Sequence, residues 1–173
     1  MHLFDSYSFD WRPQYPSLES YAQDLCAVWT QFVDANDIVI IVGDIGTNCK
    51  FTVNLLKSLP GKKVLVKGNH DLIWGKNLWS CGVFQGIYDE IVDGNVYVKH
   101  IPDTVVTNKY FVHGHHHLYT TPNMGKELKL YAADTYRLNC CADLVHNKPM
   151  TLQELIINKE VYIDEYRRSI KNE

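Results

Sequence analysis

The sequence predicts an α/β domain, and three observations carry the prediction. Short apolar runs alternate with amphipathic stretches through the first part of the chain, the pattern of parallel strands joined by helices. Five of the runs are followed within one to three residues by Asp, Asn or His, as expected where strand ends line a ligand crevice. Six of the eight histidines fall between His70 and His117, among those strand ends.

The elements follow in order. Leu3-Phe4 is a short first strand that stops at Asp5. A helix is predicted from about Ser17 to Val33, because Leu18, Tyr21, Leu25, Trp29 and Phe32 recur at steps of three and four. Ser17 is its N-cap and Glu19 sits in the positive first turn. Ile38 to Val42 is a buried strand, and Thr52 to Leu59 a helix stopped by Pro60-Gly61. Val64 to Val66 is the next strand, and Ile87 to Val98 folds as a hairpin about Asp93-Gly94-Asn95. Tyr110 to Val112, Leu128 to Ala132 and Leu138 to Ala142 complete the strands. Thr151 and Glu154 form a capping box, with Met150 and Leu155 at staple positions, for a last helix running to about Asn158. A weaker helical pattern continues from Glu160 to Ile170.

Composition bounds the class. A chain of 173 residues, 46% hydrophobic and 21% charged, reads as one globular domain spanning 1–173. The net charge of -3 excludes a strongly basic nucleic-acid coat, though not a nucleic-acid substrate. No apolar run is longer than Ile38 to Val42, which is far short of the roughly 18 to 20 residues of a membrane span. The segment MHLFDSYSFD lacks the pattern of a signal peptide, and five cysteines without CxxC spacing read as reduced thiols. A cytoplasmic location is the expectation.

The residues after the strands carry the chemistry. Asp5, Gly43-Asp44, Gly68-Asn69-His70-Asp71, His100 and Gly114-His115-His116-His117 all stand just past strand ends. Carboxylate, amide oxygen and imidazole suit hard and borderline divalent ions. Asp5, Asp44, Asn69, His100, His115 and His117 are more ligands than one tetrahedral site uses. Two ions sharing the Asp44 carboxylate account for them, and such a pair clamps a phosphate and generates a nucleophile from water. His70 points toward substrate, where its imidazole protonates a leaving oxygen, with Asp71 fixing its orientation. Cys49 reads as a loop thiol, and His113 and His116 as supporting residues.

In order and spacing, these blocks resemble the GD, GNHD, single-His and GHxH motifs of the calcineurin-like metallophosphoesterases, in their small bacterial or phage-type form. Leu138 to Asp143, then Lys148-Pro149-Met150 and a helix, resemble that group's closing strand and helix. The resemblance implies a four-layered α/β/β/α sandwich with two facing mixed sheets. It also implies that Asp44 bridges two metals, that Asn69, His100 and His115 complete one site, and that Asp5 and His117 serve the other. The family's first block is Asp-x-His, whereas this chain reads Asp5-Ser6-Tyr7. A phenol with a pKa near 10 is a poor ligand for most divalent ions, so a weak first site is expected.

The function expected is metal-dependent phosphoester hydrolysis, most simply of a phosphodiester such as a small nucleotide. Catalysis is assigned to His70 and Asp71. No arginine follows Asp44 in Ile45-Gly46-Thr47-Asn48 to grip a terminal phosphate with a bidentate fork, which favours diesters. Two Mn2+ ions are the expected cofactors, with Fe, Zn, Co or Ni served by the same ligand types. The alternative is a binding or scaffold protein that kept the fold and lost turnover through its incomplete first site.

Overall fold

Helix α1 (Leu18–Phe32) begins where the sequence places its cap. Ser17 is extended and its hydroxyl accepts from the Ser20 amide, while Ser20 Oγ accepts from the Ser17 amide. This reciprocal pair satisfies two amides that the first turn otherwise leaves without partners. The helix buries Tyr21, Ala22, Leu25 and Trp29. The coordinates are a computed structural model, which describes residues 12, 14–46, 49–74, 79–103, 109–117, 134 and 136–169. The expected strands at Leu3-Phe4 and Leu128 to Ala132 lie outside the described residues.

Strands β1 (Ile38–Val42), β2 (Lys62–Val66) and β3 (Phe84–Tyr88) form one parallel sheet in the order β1-β2-β3. Helix α2 (Cys49–Ser58) makes the first crossover and the short α3 (Asn69–Trp74) lies in the second. Two expectations change here. Cys49 opens α2 instead of lying in a loop, because the helix starts three residues before Thr52. Ile87 belongs to β3 and not to the hairpin, since Val64 to Val66 pair in parallel with Gly86 to Tyr88.

The second sheet has the order β4-β5-β6-β7, from β4 (Glu90–Asp93), β5 (Val96–Lys99), β6 (Tyr110–His113) and β7 (Arg137–Asn139). β4 and β5 form the predicted hairpin, with Asp93 opposite Val96 across Gly94-Asn95. β5, β6 and β7 run parallel. β7 is shorter than the predicted Leu138 to Ala142, but the Cys140 amide still donates to the His113 carbonyl at 2.8 Å. Helix α4 (Leu152–Ser169) has its capping box: Glu154 accepts from the Thr151 amide at 2.8 Å, and Thr151 Oγ1 accepts from the Glu154 amide at 3.3 Å. It runs on through the weaker pattern instead of ending near Asn158.

Two apolar clusters hold these parts together. Trp29 and Val33 at the end of α1, Leu56 of α2 and Leu59 just after it pack on Ile41 and Leu65 of the first sheet. Val66 of β2 joins Val98, Val112 and Leu138 of the second sheet and Leu155 of α4 in the other cluster. Burying each such Leu contributes roughly 1.5–3 kcal/mol. Because Val66 packs with Val98 and Val112, the two sheets share a core. The C-terminal ends of β1, β2, β5, β6 and β7 carry the residues of the candidate site.

Candidate metal centre

The site is built from turns packed unusually close. Gly43, at φ +72°, follows β1, and a Cβ there would lie 2.7 Å from Gly68 Cα and overlap the His100 ring. A Cβ on Gly68 would collide with the Asp44 carboxylate. Only glycine lets these two backbones and the ring meet. Asp44 and His115 both adopt left-handed backbone, at φ 52° and 67°. Non-glycine residues pay roughly 1–3 kcal/mol for sparsely populated backbone conformations, which recur at functional sites.

Asp71 anchors the turns. Its carboxylate, 1% exposed, accepts from the amides of Asp44 at 2.8 Å, Ile45 at 2.9 Å and Gly68 at 2.9 Å. The sequence assigns Asp71 the task of orienting His70; its contacts place it instead beneath the Asp44 turn. The short α3 is the reason, since it carries Asp71 back toward the amides that follow β1. His70 is positioned through its backbone, whose amide donates to Asp44 Oδ1 at 2.9 Å.

His100 is buried, and its Nδ1 lies 2.8 Å from the Val42 carbonyl. A carbonyl only accepts, so Nδ1 carries a proton and Nε2 is the nitrogen turned toward Asp44. That Nε2 stands 3.0 Å from Asp44 Oδ2 and makes no hydrogen bond. A ring nitrogen and a carboxylate oxygen therefore face each other in a buried place without a hydrogen bond, which calls for a cation or a proton between them. Asn69 Oδ1 is also buried without a hydrogen-bond partner. His115 completes the group: its donor atom and those of Asp44 and His100 all lie within 4.8 Å of one another. Burial first, then the His100 ring, push the His115 pKa down, so its imidazole is a neutral lone-pair donor. These donors are one carboxylate, two imidazoles and a neighbouring amide oxygen, a set that fits a divalent cation.

His117 joins a second group. Its Nδ1 donates to Asp143 Oδ2 at 2.7 Å and lies 3.4 Å from Cys141 Sγ, just past β7. Burial opposes a charged His117 ring, but its hydrogen bonds, to Asp143 first and then Cys141, lift the pKa to about 9. Burial likewise opposes the Asp143 charge, yet His117 and Arg12 hold its carboxyl well below the usual carboxylate range. His113 is buried and faces neither group. The break after Gly114 ends the alternation that would have put His113, His115 and His117 on one face.

Of the six ligands read from the sequence, the structure gathers Asp44, His100 and His115, sets Asn69 at the adjoining turn, and holds His117 in the second group. Asp5, like Tyr7, lies outside the described residues. Sequence reasoning passed over Asp143 and Arg12, although Asp143 follows a strand end as the other site residues do. A cavity of about 660 Å3 opens beside β1, with Asp44, His100, His115 and His117 among the residues lining it.

The family described as calcineurin-like phosphoesterase matches residues 2–160. The chain belongs to the calcineurin-like phosphoesterase family. Its members hydrolyse phosphoesters with divalent metals, and the donor groups above are this chain's candidates to hold such ions. Among solved structures it is similar to AQ665 from Aquifex aeolicus, described as a protein of unknown function. The two share 20% identity with a TM-score of 0.64, over 89% of this chain and 92% of that one, a likeness of fold alone. No curated protein matches the phosphoesterase. No helix among its described residues is long and apolar enough to cross a membrane.

Proposed function

We propose that this phosphoesterase is a phosphodiesterase acting on a small nucleotide or another diester, with two divalent ions, Mn2+ foremost, as cofactors. The observation that carries the reading is the buried His100 Nε2 facing Asp44 Oδ2 at 3.0 Å, with Asn69 Oδ1 also unpartnered. In this reading Asp44 is the shared carboxylate, Asn69, His100 and His115 serve one ion, and Asp5 and His117 the other. Bound ions supply Lewis acidity at the phosphoryl group and an acidified water. The chain's own residues do the rest. Val42 fixes the His100 tautomer, and Asp71 holds the turn that aims Asp44. His70, tied by its amide to that carboxylate, stands beside the cluster to give a proton to the leaving oxygen.

Preference for a diester rests on Ile45-Gly46-Thr47-Asn48, which offers no arginine fork to a dianionic phosphate. The test is hydrolysis of bis-p-nitrophenyl phosphate beside the monoester, with Mn2+ and then with chelator. Faster, chelator-sensitive cleavage of the diester is expected. A faster monoester reaction would overturn the diester assignment. No cleavage of either substrate with Mn2+, Fe2+, Co2+, Ni2+ or Zn2+ would leave the fold as a binding protein.

A further inference from the structure

The family motif explains His117 but not the two residues gathered on its Nδ1. Asp143 comes from the turn after β7 and is also held by Arg12, 131 residues away in sequence. Arg12 Nε donates to Asp143 Oδ1 at 2.6 Å, and Nη2 reaches Oδ2 at 3.4 Å. The guanidinium is 3% exposed and lies over the Tyr21 ring, 4.5 Å from its centroid. A carboxylate paired with a buried guanidinium stays ionised and can only accept. The 2.7 Å contact therefore places a His117 proton on Nδ1 and leaves Nε2 as the nitrogen that a metal can use.

We propose that Asp143, clamped by Arg12, is the positioning residue that fixes the tautomer and ring plane of His117 so that its Nε2 serves as a metal ligand. The proposal rests on the reading of His117 as a ligand. Histidines that bind metals commonly hand their other N–H to a carboxylate, which locks the ring and raises its basicity. Here that carboxylate is itself braced, so the ring is held before any ion arrives. Cys141 fits the same arrangement as a thiol, its Sγ donating to Asp143 Oδ2 across 3.9 Å. His117, Cys141 and Asp143 also have donor atoms within 4.8 Å of one another, as a metal site would. Against a cation on Nδ1 stand the proton already there and the guanidinium on the same carboxylate.

The test compares wild type with Asp143→Ala, Asp143→Asn, Arg12→Gln, Cys141→Ser and His117→Ala. It uses calorimetric titration of Mn2+ and Co2+, 15N chemical shifts of His117, and circular dichroism to check folding. Asp143→Ala is expected to weaken the His117-dependent binding step by 10- to 100-fold and to move the His117 nitrogens toward a mixture of tautomers. Asp143→Asn, which keeps an acceptor oxygen, should recover part of both. Asp143→Ala added to His117→Ala should weaken binding no further. If Asp143→Ala and Asp143→Asn fold and bind as wild type does, while His117→Ala weakens binding, the positioning role is wrong and the ligand role stands. If His117→Ala leaves binding unchanged, the ligand reading itself fails, and the proposal with it. A thiolate-to-cobalt charge-transfer band that vanishes in Cys141→Ser would make the trio itself a metal site and overturn the positioning role.

Discussion

His100 Nε2 lies 3.0 Å from Asp44 Oδ2 without a hydrogen bond, while the ring's other nitrogen is committed to the Val42 carbonyl. With neither a cation nor a proton between them, this arrangement costs stability. Asp44→Asn replaces one acceptor by an amide that can donate to Nε2. In chelator, urea unfolding of Asp44→Asn is expected to match wild type or exceed it by about 1 kcal/mol. A loss of several kcal/mol would show that the metal-free pair is already satisfied.

Gly68→Ala tests the closeness of the turns. The added Cβ would overlap the Asp44 carboxylate and press on the Asp44 backbone nitrogen, which cannot swing aside. Metal-dependent hydrolysis should fall by at least roughly tenfold, since misplacing a catalytic group by about an ångström can cost 100-fold. Rates at saturating Mn2+ in wild type and variant decide the matter.

Asp71 should matter for stability before it matters for chemistry. Asp71→Ala leaves the amides of Asp44, Ile45 and Gly68 buried without an acceptor. The expected loss is about 3–5 kcal/mol in denaturant unfolding with chelator present. Asp71→Asn, which keeps one acceptor oxygen, should lose less. Equal stability of the Ala variant and wild type would remove the anchoring role.

His113 sets an acid limit. Burial, more than any other influence, pushes its pKa down to about 3 from the ordinary 6.5. The native ring therefore stays neutral where the unfolded ring takes up a proton. That difference is absent above pH 6.5 and grows as the pH falls toward 3, by at most about 1.4 kcal/mol per pH unit. His113→Asn keeps a donor for the Gly114 carbonyl and removes the titration. Its stability, measured by urea unfolding, should fall less steeply between pH 6.5 and 4 than that of wild type. Parallel slopes would contradict the buried, neutral state.

Much of this was legible in the chain because local rules wrote it. Ser17 and Thr151 begin their helices, and Gly94-Asn95 turns its hairpin, through contacts between residues at most three apart. The glycines at 43 and 68 marked the turns that deliver Asp44 and Asn69. β3 was missed because Phe84-Gln85-Gly86-Ile87-Tyr88 alternates poorly and becomes a strand only by pairing with β2. Asp71 was given the wrong neighbour because α3 turns it toward amides that precede it by 26 and 27 residues. Arg12 and Asp143 meet only in the folded chain, and no local pattern announces a partner 131 residues away.

The most direct test of the centre is calorimetric titration of Mn2+ into chelator-treated wild type, Asp44→Asn and His115→Ala. The account predicts saturable binding by wild type and a loss of at least tenfold in affinity for both variants, with their folds intact. Binding of equal affinity and stoichiometry in all three would contradict it, as would wild type that binds none of Mn2+, Fe2+, Co2+, Ni2+ or Zn2+.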